Sequence, residues 1–430
     1  MKKLFFLLPV FCFANLLFAQ QEFPKQPVLT DAQKVYGLSK MCTEVKYNYV
    51  YYDKLTFDWD SLCMAAIPEV LATKDAFSYV NVLRNLAAKL GDGHTSVSWN
   101  NNNLRVSPLP FITLKYGNRI FVNEVYSKAL KEKGIVKGAE ILKINGKSAY
   151  DYGKENIMPY TAASTPQWRD YYSFSSFELT KGLQPDEITI EYKEPDGKVK
   201  TLTTNRLTQK WDDQDIRETF HFKVLPSNVG FLRITTFNDN GMNKKFDAIY
   251  DEIKSTDALI IDLRNNGGGN SSYADYILRH FTEVPFKSNQ WSSPMYIPAH
   301  ASWNYPKEWY LQAPQLNRPV NKEIYTKPVI VLINAGTFSS AENFCSQFLG
   351  MNRGKLVGTA TGGSTGNPIY MNLIDDVASI IICTKKDVMP DGSEFVGVGI
   401  KPHVEIEETA NDFLNNKDVV LEKAIELIRK

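Results

Sequence analysis

Two loops of this 430-residue chain carry residue types that acyl-transfer chemistry uses. The first loop, residues 262–270 (DLRNNGGGN), follows an apolar run suited to a buried strand. Its three consecutive glycines allow backbone N–H groups to point into a shared space, as an oxyanion hole requires. A glycine-rich turn without a ligand is the structural alternative. Phosphate binding is disfavoured because the sequence has neither a GxxxxGK[ST] nor a GxGxxG pattern.

The second loop, residues 334–343 (NAGTFSSAEN), also follows an apolar run and opens a predicted helix. Ser339 stands at this junction, where the positive end of the helix dipole favours a developing negative charge. That position suits a serine nucleophile. Ser339 and Glu342 also have the S-x-x-E spacing of a capping box, which needs no catalysis. The spacing alone is compatible with both roles.

A serine nucleophile needs a base at neutral pH, and a histidine can serve as one, although a single histidine in a loop is more often a surface residue. His94 lies in a short polar turn, residues 92–95 (DGHT), between a helix pattern and a strand pattern. An imidazole there would accept the serine proton and return it to a leaving amine. The other four histidines lie in no comparable motif: His221, His280, His300 and His403.

The three motifs occur in a fixed order: DGHT at 92–95, DLRNNGGG at 262–269 and TFSSAE at 337–342. Together they resemble the tail-specific and tricorn-core family of serine peptidases. The resemblance extends over nearly the whole chain after residue 19 and implies an acyl-enzyme on Ser339. It also implies an oxyanion hole formed by the amide of Gly268, or of its neighbour Gly267, together with the amide of Ser340. No metal or organic cofactor is implied.

The family uses two kinds of general base, and the residues after the nucleophile distinguish them. The tail-specific branch has a lysine in this segment, whereas residues 358–366 (GTATGGSTG) place Ser364 at that position. The tricorn-like branch uses an N-terminal histidine, which His94 matches. In that branch a glutamate ahead of a late glycine turn orients the histidine, which implies Glu394 for this role. Asp92 is the alternative orienting carboxylate.

The resemblance implies an exported endopeptidase or tail-specific peptidase whose partners are polypeptides, such as C-terminal tails or unfolded proteins. Two other functions remain open. One is a catalytically inactive relative that binds a ligand or peptide. The other is a hydrolase of a non-peptide acyl substrate, because a fold does not fix its substrate.

Three regions must position these residues. Residues 20–100 form an N-terminal helical region, with apolar residues at helix spacing between Val80 and Leu90, followed by the His94 turn and a strand at Ser96–Trp99. Residues 101–205 are rich in β-branched and aromatic residues. Their order of helix, glycine turn and strand over 129–146 resembles a PDZ-like domain, which implies peptide capture by strand addition at a sheet edge.

Residues 206–430 alternate strand and helix patterns, which predicts an α/β catalytic core. We expect a parallel or mixed sheet with flanking helices, as in ClpP/crotonase-like folds. In such sheets the functional loops lie beyond the carboxyl ends of the strands. The segment from Phe286 to Tyr325, rich in Trp, Pro and Tyr, either covers the cleft or is a packed surface insertion.

The N-terminus and the composition indicate where the protein is located and which partners are excluded. Residues 1–19 have the basic start, apolar run and small closing residue of a signal peptide, which predicts a periplasmic or secreted protein. No later apolar run approaches the length of a membrane span. A formal net charge of +1 argues against nucleic acid as a partner. Cys42 and Cys63 are either bridged or buried as free thiols.

Overall fold

The computed structural model describes residues 26–100, 104–212 and 218–429. The predicted signal peptide, residues 1–19, lies outside the described residues. Within the described ranges, no helix combines the length and the apolar character needed to cross a membrane.

The N-terminal region is helical, as its apolar spacing predicts. Its elements are helices α1 (Asp31–Asn48), α2 (Trp59–Ala72) and α3 (Ala76–Ala88), a 3-10 turn (Tyr52–Lys54) and strand β1 (Ser96–Trp99). Val80, Leu83 and Leu86, which recur at helix spacing in the sequence, are buried on one side of α3. A disulfide between Cys42 and Cys63 joins α1 to α2, so the bridged alternative is the one present in the structure.

The middle region is built mainly of strands. In chain order its elements are β2 (Val106–Ser107), β3 (Phe111–Tyr116), β4 (Arg119–Val125), α4 (Lys128–Glu132), β5 (Glu140–Ile144), β6 (Lys147–Ser148), α5 (Ala149–Asn156), a 3-10 turn (Met158–Tyr160), α6 (Pro166–Phe174), a 3-10 turn (Glu178–Thr180), β7 (Gly182–Leu183), β8 (Glu187–Lys193) and β9 (Val199–Asn205). Strands β3, β4, β5, β8 and β9 form an antiparallel sheet in that order around one apolar cluster.

The outer edge of strand β3 is already occupied by the chain itself. The backbone N–H of Thr113 donates to the carbonyl oxygen of Ser176 at 3.3 Å, and the N–H of Lys115 donates to Ser175 Oγ at 3.2 Å. The Thr113 hydroxyl donates to the carbonyl oxygen of Phe174 at 2.7 Å. These are the groups that an added peptide strand would need. A peptide could therefore pair with β3 only after residues 174–176 had moved away.

The C-terminal region alternates strands and helices. Its elements are β10 (Phe220–Leu225), β11 (Val229–Ile234), α7 (Met242–Ser255), β12 (Ala258–Asp262), α8 (Ser271–Leu278), β13 (Phe286–Lys287), β14 (Gln290–Met295), α9 (Pro298–Ser302), β15 (Glu308–Gln312), β16 (Leu316–Asn317), β17 (Val329–Ile333), α10 (Ser340–Gly350), β18 (Gly354–Gly358), β19 (Ile369–Ile374), β20 (Ala378–Ile382), β21 (Lys386–Val388), β22 (Val404–Glu405), α11 (Ala410–Leu414) and α12 (Val419–Ile428). The strand predictions around 229–234, 258–262 and 328–333 are confirmed.

A mixed sheet in the order β10-β11-β12-β17-β18-β22 forms the centre of this region. Within this sheet β11, β12, β17, β18 and β22 run parallel, and only β10 is antiparallel to its neighbour. Successive side chains of a strand point to opposite faces, so Leu259 and Ile261 join the cluster under α7, α8 and α10, whereas Ile260 packs against α12. The carboxyl ends of β12 and β17 are neighbours, which brings the glycine loop and the Ser339 loop together.

A second, smaller sheet joins the strand that follows the histidine turn to strands of the C-terminal region. Strand β1, directly after the turn, pairs antiparallel with β20, and β20 pairs with β19. The N-terminal helices pack on this sheet in one apolar cluster. The segment 286–325 forms an antiparallel hairpin of β14 and β15, and β14 also pairs with β21.

Candidate active site

Ser339 lies at the junction between strand β17 and helix α10. Its backbone has φ 56° and ψ −122°, a conformation that residues other than glycine rarely adopt. The N–H of Ser339 donates to the carbonyl oxygen of Ser364 and to Glu342 Oε2, each at 3.1 Å. These hydrogen bonds hold the strained turn, which presents the hydroxyl at the carboxyl end of the sheet as a strand–turn–helix nucleophile requires.

Glu342 anchors this turn from inside the protein. Its carboxylate is fully buried and accepts hydrogen bonds from the N–H groups of Ser339, Gly363 and Ser364 and from the hydroxyl of Thr361. Burial raises the pKa of Glu342 to about 7, against the effect of these donors, which favour the charged form. Glu342 therefore ties the first turn of α10 to residues 361–364.

The tertiary structure brings the imidazole of His94 to Ser339. Nε2 of His94 lies 3.0 Å from Ser339 Oγ, and Nδ1 lies 2.8 Å from Ser364 Oγ. For Nε2 to accept the serine proton, the neutral ring must carry its own proton on Nδ1, which then donates to Ser364 Oγ. Burial, with a smaller contribution from the Lys385 cation, lowers the pKa of His94 to about 4. The ring is therefore neutral at pH 7, as a general base must be.

The structure does not bring Glu394 to His94. The Glu394 carboxylate lies at the surface, at 2.5 Å from Lys386 Nζ and 3.5 Å from Lys54 Nζ. Asp92 is buried close to His94 in sequence, but its carboxylate accepts from Thr95 Oγ1 at 2.6 Å and Ser164 Oγ at 3.2 Å, and so it shapes the turn. Ser364, rather than either predicted carboxylate, contacts Nδ1.

The glycine loop lies against the nucleophile. A Cβ atom added to Gly268, whose φ is +91°, would lie 2.7 Å from Ser339 Cβ, so only glycine allows this approach. The N–H of Gly268 donates to Asn266 Oδ1 at 2.9 Å. Among the described residues, the N–H groups of Gly267 and Ser340 have no acceptor. Of the two predicted glycine amides, that of Gly267 is the one available to a ligand.

Two hydroxyl contacts fix the glycine loop relative to helix α10. Ser340 Oγ donates to the carbonyl oxygen of Gly269 at 2.6 Å and lies 2.9 Å from Ser271 Oγ. The N–H of Phe338 donates to the carbonyl oxygen of Asn266 at 2.9 Å. The amides of Gly267 and Ser340 therefore belong to one connected unit.

A stack of aromatic rings supports His94 from behind. The ring of Phe338 lies parallel to the imidazole at a centroid distance of 4.7 Å, and Trp168 of α6 stacks on the other face of Phe338 at 3.9 Å. The residues before Trp168 also contact the His94 turn and the segment that contains Ser364. Ser164 Oγ accepts from the N–H of Gly93, and Thr165 Oγ1 donates to the carbonyl oxygen of Gly362 at 2.7 Å. Helix α6 of the middle region thus belongs to the wall of the site.

Sequence reasoning missed the role of Ser364 and the aromatic stack. Ser364 was noticed only as the residue that replaces a lysine, and no local pattern connects it with a histidine 270 residues away. Trp168 lies in a different region from the catalytic motifs. The S-x-x-E spacing of Ser339 and Glu342 did carry a usable signal, because Glu342 accepts a hydrogen bond from the N–H of Ser339 and Ser339 Oγ also lies 3.0 Å from His94 Nε2.

A strained serine at a helix N-terminus, a neutral histidine and two N–H groups without an acceptor among the described residues form an arrangement that can support serine hydrolase chemistry. Residues 228–406 match the model of Peptidase family S41, so this chain carries a serine-peptidase domain of family S41.

Sequence relatives agree with this assignment. The carboxy-terminal processing protease CtpA of Bacillus subtilis is 24% identical over 385 residues, which is 88% of this chain and 70% of that protein. A probable CtpA-like serine protease of Staphylococcus aureus is 25% identical over 240 residues, 55% of this chain and 45% of its own length. The match therefore spans less than half of the staphylococcal relative.

Solved structures show the same fold. The structure of mature CPAF complexed with lactacystin aligns with a TM-score of 0.72 over 93% of this chain and 98% of that chain. The sequence identity of this pair is 16%, so the likeness concerns the fold alone.

Proposed function

We propose that this protein is an exported peptidase that cleaves polypeptides through an acyl-enzyme on Ser339, with His94 as general base. The observation that supports this most directly is the 3.0 Å separation of His94 Nε2 and Ser339 Oγ. That distance permits direct proton transfer between the two groups. With Ser364 at the lysine position, the site corresponds to the tricorn-like branch of the family.

The steps follow from the geometry. Ser339 Oγ attacks the peptide carbonyl carbon while His94 Nε2 takes the hydroxyl proton, and the amides of Gly267 and Ser340 stabilise the oxyanion. His94 then donates this proton to the leaving amine, and the C–N bond breaks. A water molecule, deprotonated by His94, attacks the acyl-enzyme, and His94 then returns the proton to Ser339 Oγ as the ester bond breaks and the acid is released. The substrates we propose are unfolded proteins and C-terminal tails, and the middle region is proposed to be PDZ-like.

The test is cleavage of casein, an unfolded protein, by the purified protein, compared with its Ser339→Ala and His94→Ala variants. We expect cleavage by the unmodified protein and a fall in rate of about a thousandfold or more in each variant. Circular dichroism and thermal melting should show that both variants remain folded. Equal behaviour of all three proteins would overturn the proposal and leave Ser339 as a helix cap.

A further inference from the structure

A cavity of about 350 Å³ lies between the β14–β15 hairpin and the segment that follows strand β20. The hairpin contributes Trp291, Ser293, Pro294, Met295 and Tyr310 to the lining, and Asn367, Thr384 and Lys385 complete it. It is separate from the glycine loop, and no step of the proposed mechanism uses it.

One face of the hairpin is directed at this cavity. Trp291, Ser293 and Met295 alternate along β14, and Tyr310 is paired with Ser293, so these four side chains share a face. Ser293 Oγ donates to the carbonyl oxygen of Thr384 at 2.8 Å, which fixes the distance between hairpin and floor. The Trp291 and Tyr310 rings lie 5.4 Å apart. The wall is thus preformed and aromatic.

The floor of the cavity adjoins the catalytic histidine. The carbonyl oxygen of Gly366 accepts from the N–H groups of both Thr384 and Lys385 at 3.1 Å. On its other side Gly366 is packed so closely against His94 that an added Cβ would lie 2.9 Å from His94 Cβ. Asn367, the next residue, lines the cavity. The cavity therefore begins at the residue after Gly366, which itself packs against His94.

Trp291, Met295 and Tyr310 give the cavity an apolar surface large enough for a bulky apolar group, beside the polar residues Ser293, Asn367, Thr384 and Lys385. Met295 and Tyr310 are 44% and 51% exposed, so their side chains are accessible to a ligand. The single cation, Lys385, is already paired with Asp387 at 3.1 Å and lies over the Trp291 ring. The Asp387 carboxylate offsets the charge of Lys385, which disfavours an acidic group in the cavity. The remaining surface for a ligand is aromatic and thioether surface.

We infer that this cavity is a substrate subsite that takes a bulky apolar side chain on the leaving-amine side of the scissile bond. This inference rests on the proposed function, because it is His94 that protonates the leaving amine and the cavity adjoins Gly366, which packs against His94. The segment 286–325 then determines specificity and is more than a packed insertion.

The experiment uses quenched fluorescent peptides that differ only in having Phe or Ala at one of the first three positions after the cleaved bond, with the cleavage site checked by mass spectrometry. At one position we expect a kcat/KM about tenfold or more higher for Phe than for Ala, and we expect Tyr310→Ala and Met295→Ala to remove most of this preference. The Ala peptide should be cut equally by all variants. Trp303→Ala is the matched control, because Trp303 is a 60% exposed aromatic residue of the same segment that does not line the cavity.

A preference that survives both substitutions, or that appears only before the cleaved bond, would overturn the inference. The same peptides are also titrated against the Ser339→Ala variant, with binding followed by fluorescence anisotropy. If no peptide is cut but Phe still binds more tightly in a Tyr310-dependent way, the subsite stands and the proposed function fails. If peptides are cut and Tyr310→Ala changes nothing in either assay, the function stands and the subsite fails.

Discussion

Oγ of Ser364 lies 2.8 Å from Nδ1 of His94, on the opposite edge of the ring from Ser339. Ser364 is held in turn by the carboxylate of Glu342, which accepts from its N–H at 2.9 Å. A hydroxyl group therefore holds the tautomer and orientation of the histidine, a role that a carboxylate has in many serine hydrolases.

Ser364→Ala should lower kcat about tenfold with little change in KM, because one neutral hydrogen bond that orients the base is lost. Ser364→Thr retains a hydroxyl and should recover most of the activity. Steady-state kinetics on one peptide will measure both effects. A rise in KM at constant kcat would instead indicate that Ser364 acts on substrate binding.

Glu394→Gln should change kcat/KM less than about twofold, since the carboxylate is half exposed and paired with Lys386 and Lys54 at the surface. The expected effect on the melting temperature is equally small. A loss of a hundredfold or more would show that Glu394 moves to His94 during the reaction. Glu394→Ala should behave like Glu394→Gln.

The apparent pKa on the acid side of the kcat/KM profile should lie well below the usual pKa range of histidine. The pKa of His94 is lowered to about 4, so the neutral base persists as the pH falls from 7 to 5.5 and kcat/KM should remain above about half of its maximum. Between pH 6.5 and 4 only the unfolded chain takes up this proton, so the His94 contribution to stability falls as the pH falls. An apparent pKa near 7 would contradict the assignment of this limb to His94. It would indicate that the limb reports the titration of Glu342, whose pKa is raised to about 7.

Trp168→Leu should lower kcat and destabilise the fold, because Trp168 backs the Phe338 ring on which His94 stacks. We expect a loss of about 2–4 kcal/mol in the free energy of unfolding. Trp168→Phe keeps a ring at this position and should restore much of kcat. Trp303→Leu, at an exposed position, is the control, and an equal effect of both leucine variants would contradict a role for the stack.

Removal of the disulfide by Cys42→Ser with Cys63→Ser should lower the free energy of unfolding by about 3 kcal/mol, because the bridge closes a loop over a sequence separation of 21 residues. Activity at room temperature should persist, since the bridge joins α1 and α2 away from Ser339. Thermal melting with and without a reductant is the measurement. An unchanged melting temperature under reducing conditions would contradict a stabilising bridge.

Local patterns in the amino-acid sequence were enough to predict the helical N-terminal region, the central strands and the two loops at residues 262–270 and 334–343. These features are local: apolar periodicity sets the helices and strands, and a glycine run or a serine before a helix is visible in a few adjacent residues. The order of the motifs also pointed to Ser339 and His94, which the structure places at hydrogen-bond distance.

Which group supports the histidine depends on contacts between distant parts of the chain. Ser364 reaches Nδ1 because β1 pairs with β20 while Glu342 holds residues 361–364, and Glu394 is held away by surface lysines. Likewise, Gly267 rather than Gly268 keeps a free N–H because Asn266 folds back on the loop. These outcomes depend on strand pairing and on competition between hydrogen-bond partners far apart in the chain, and such long-range choices leave no local pattern in the sequence.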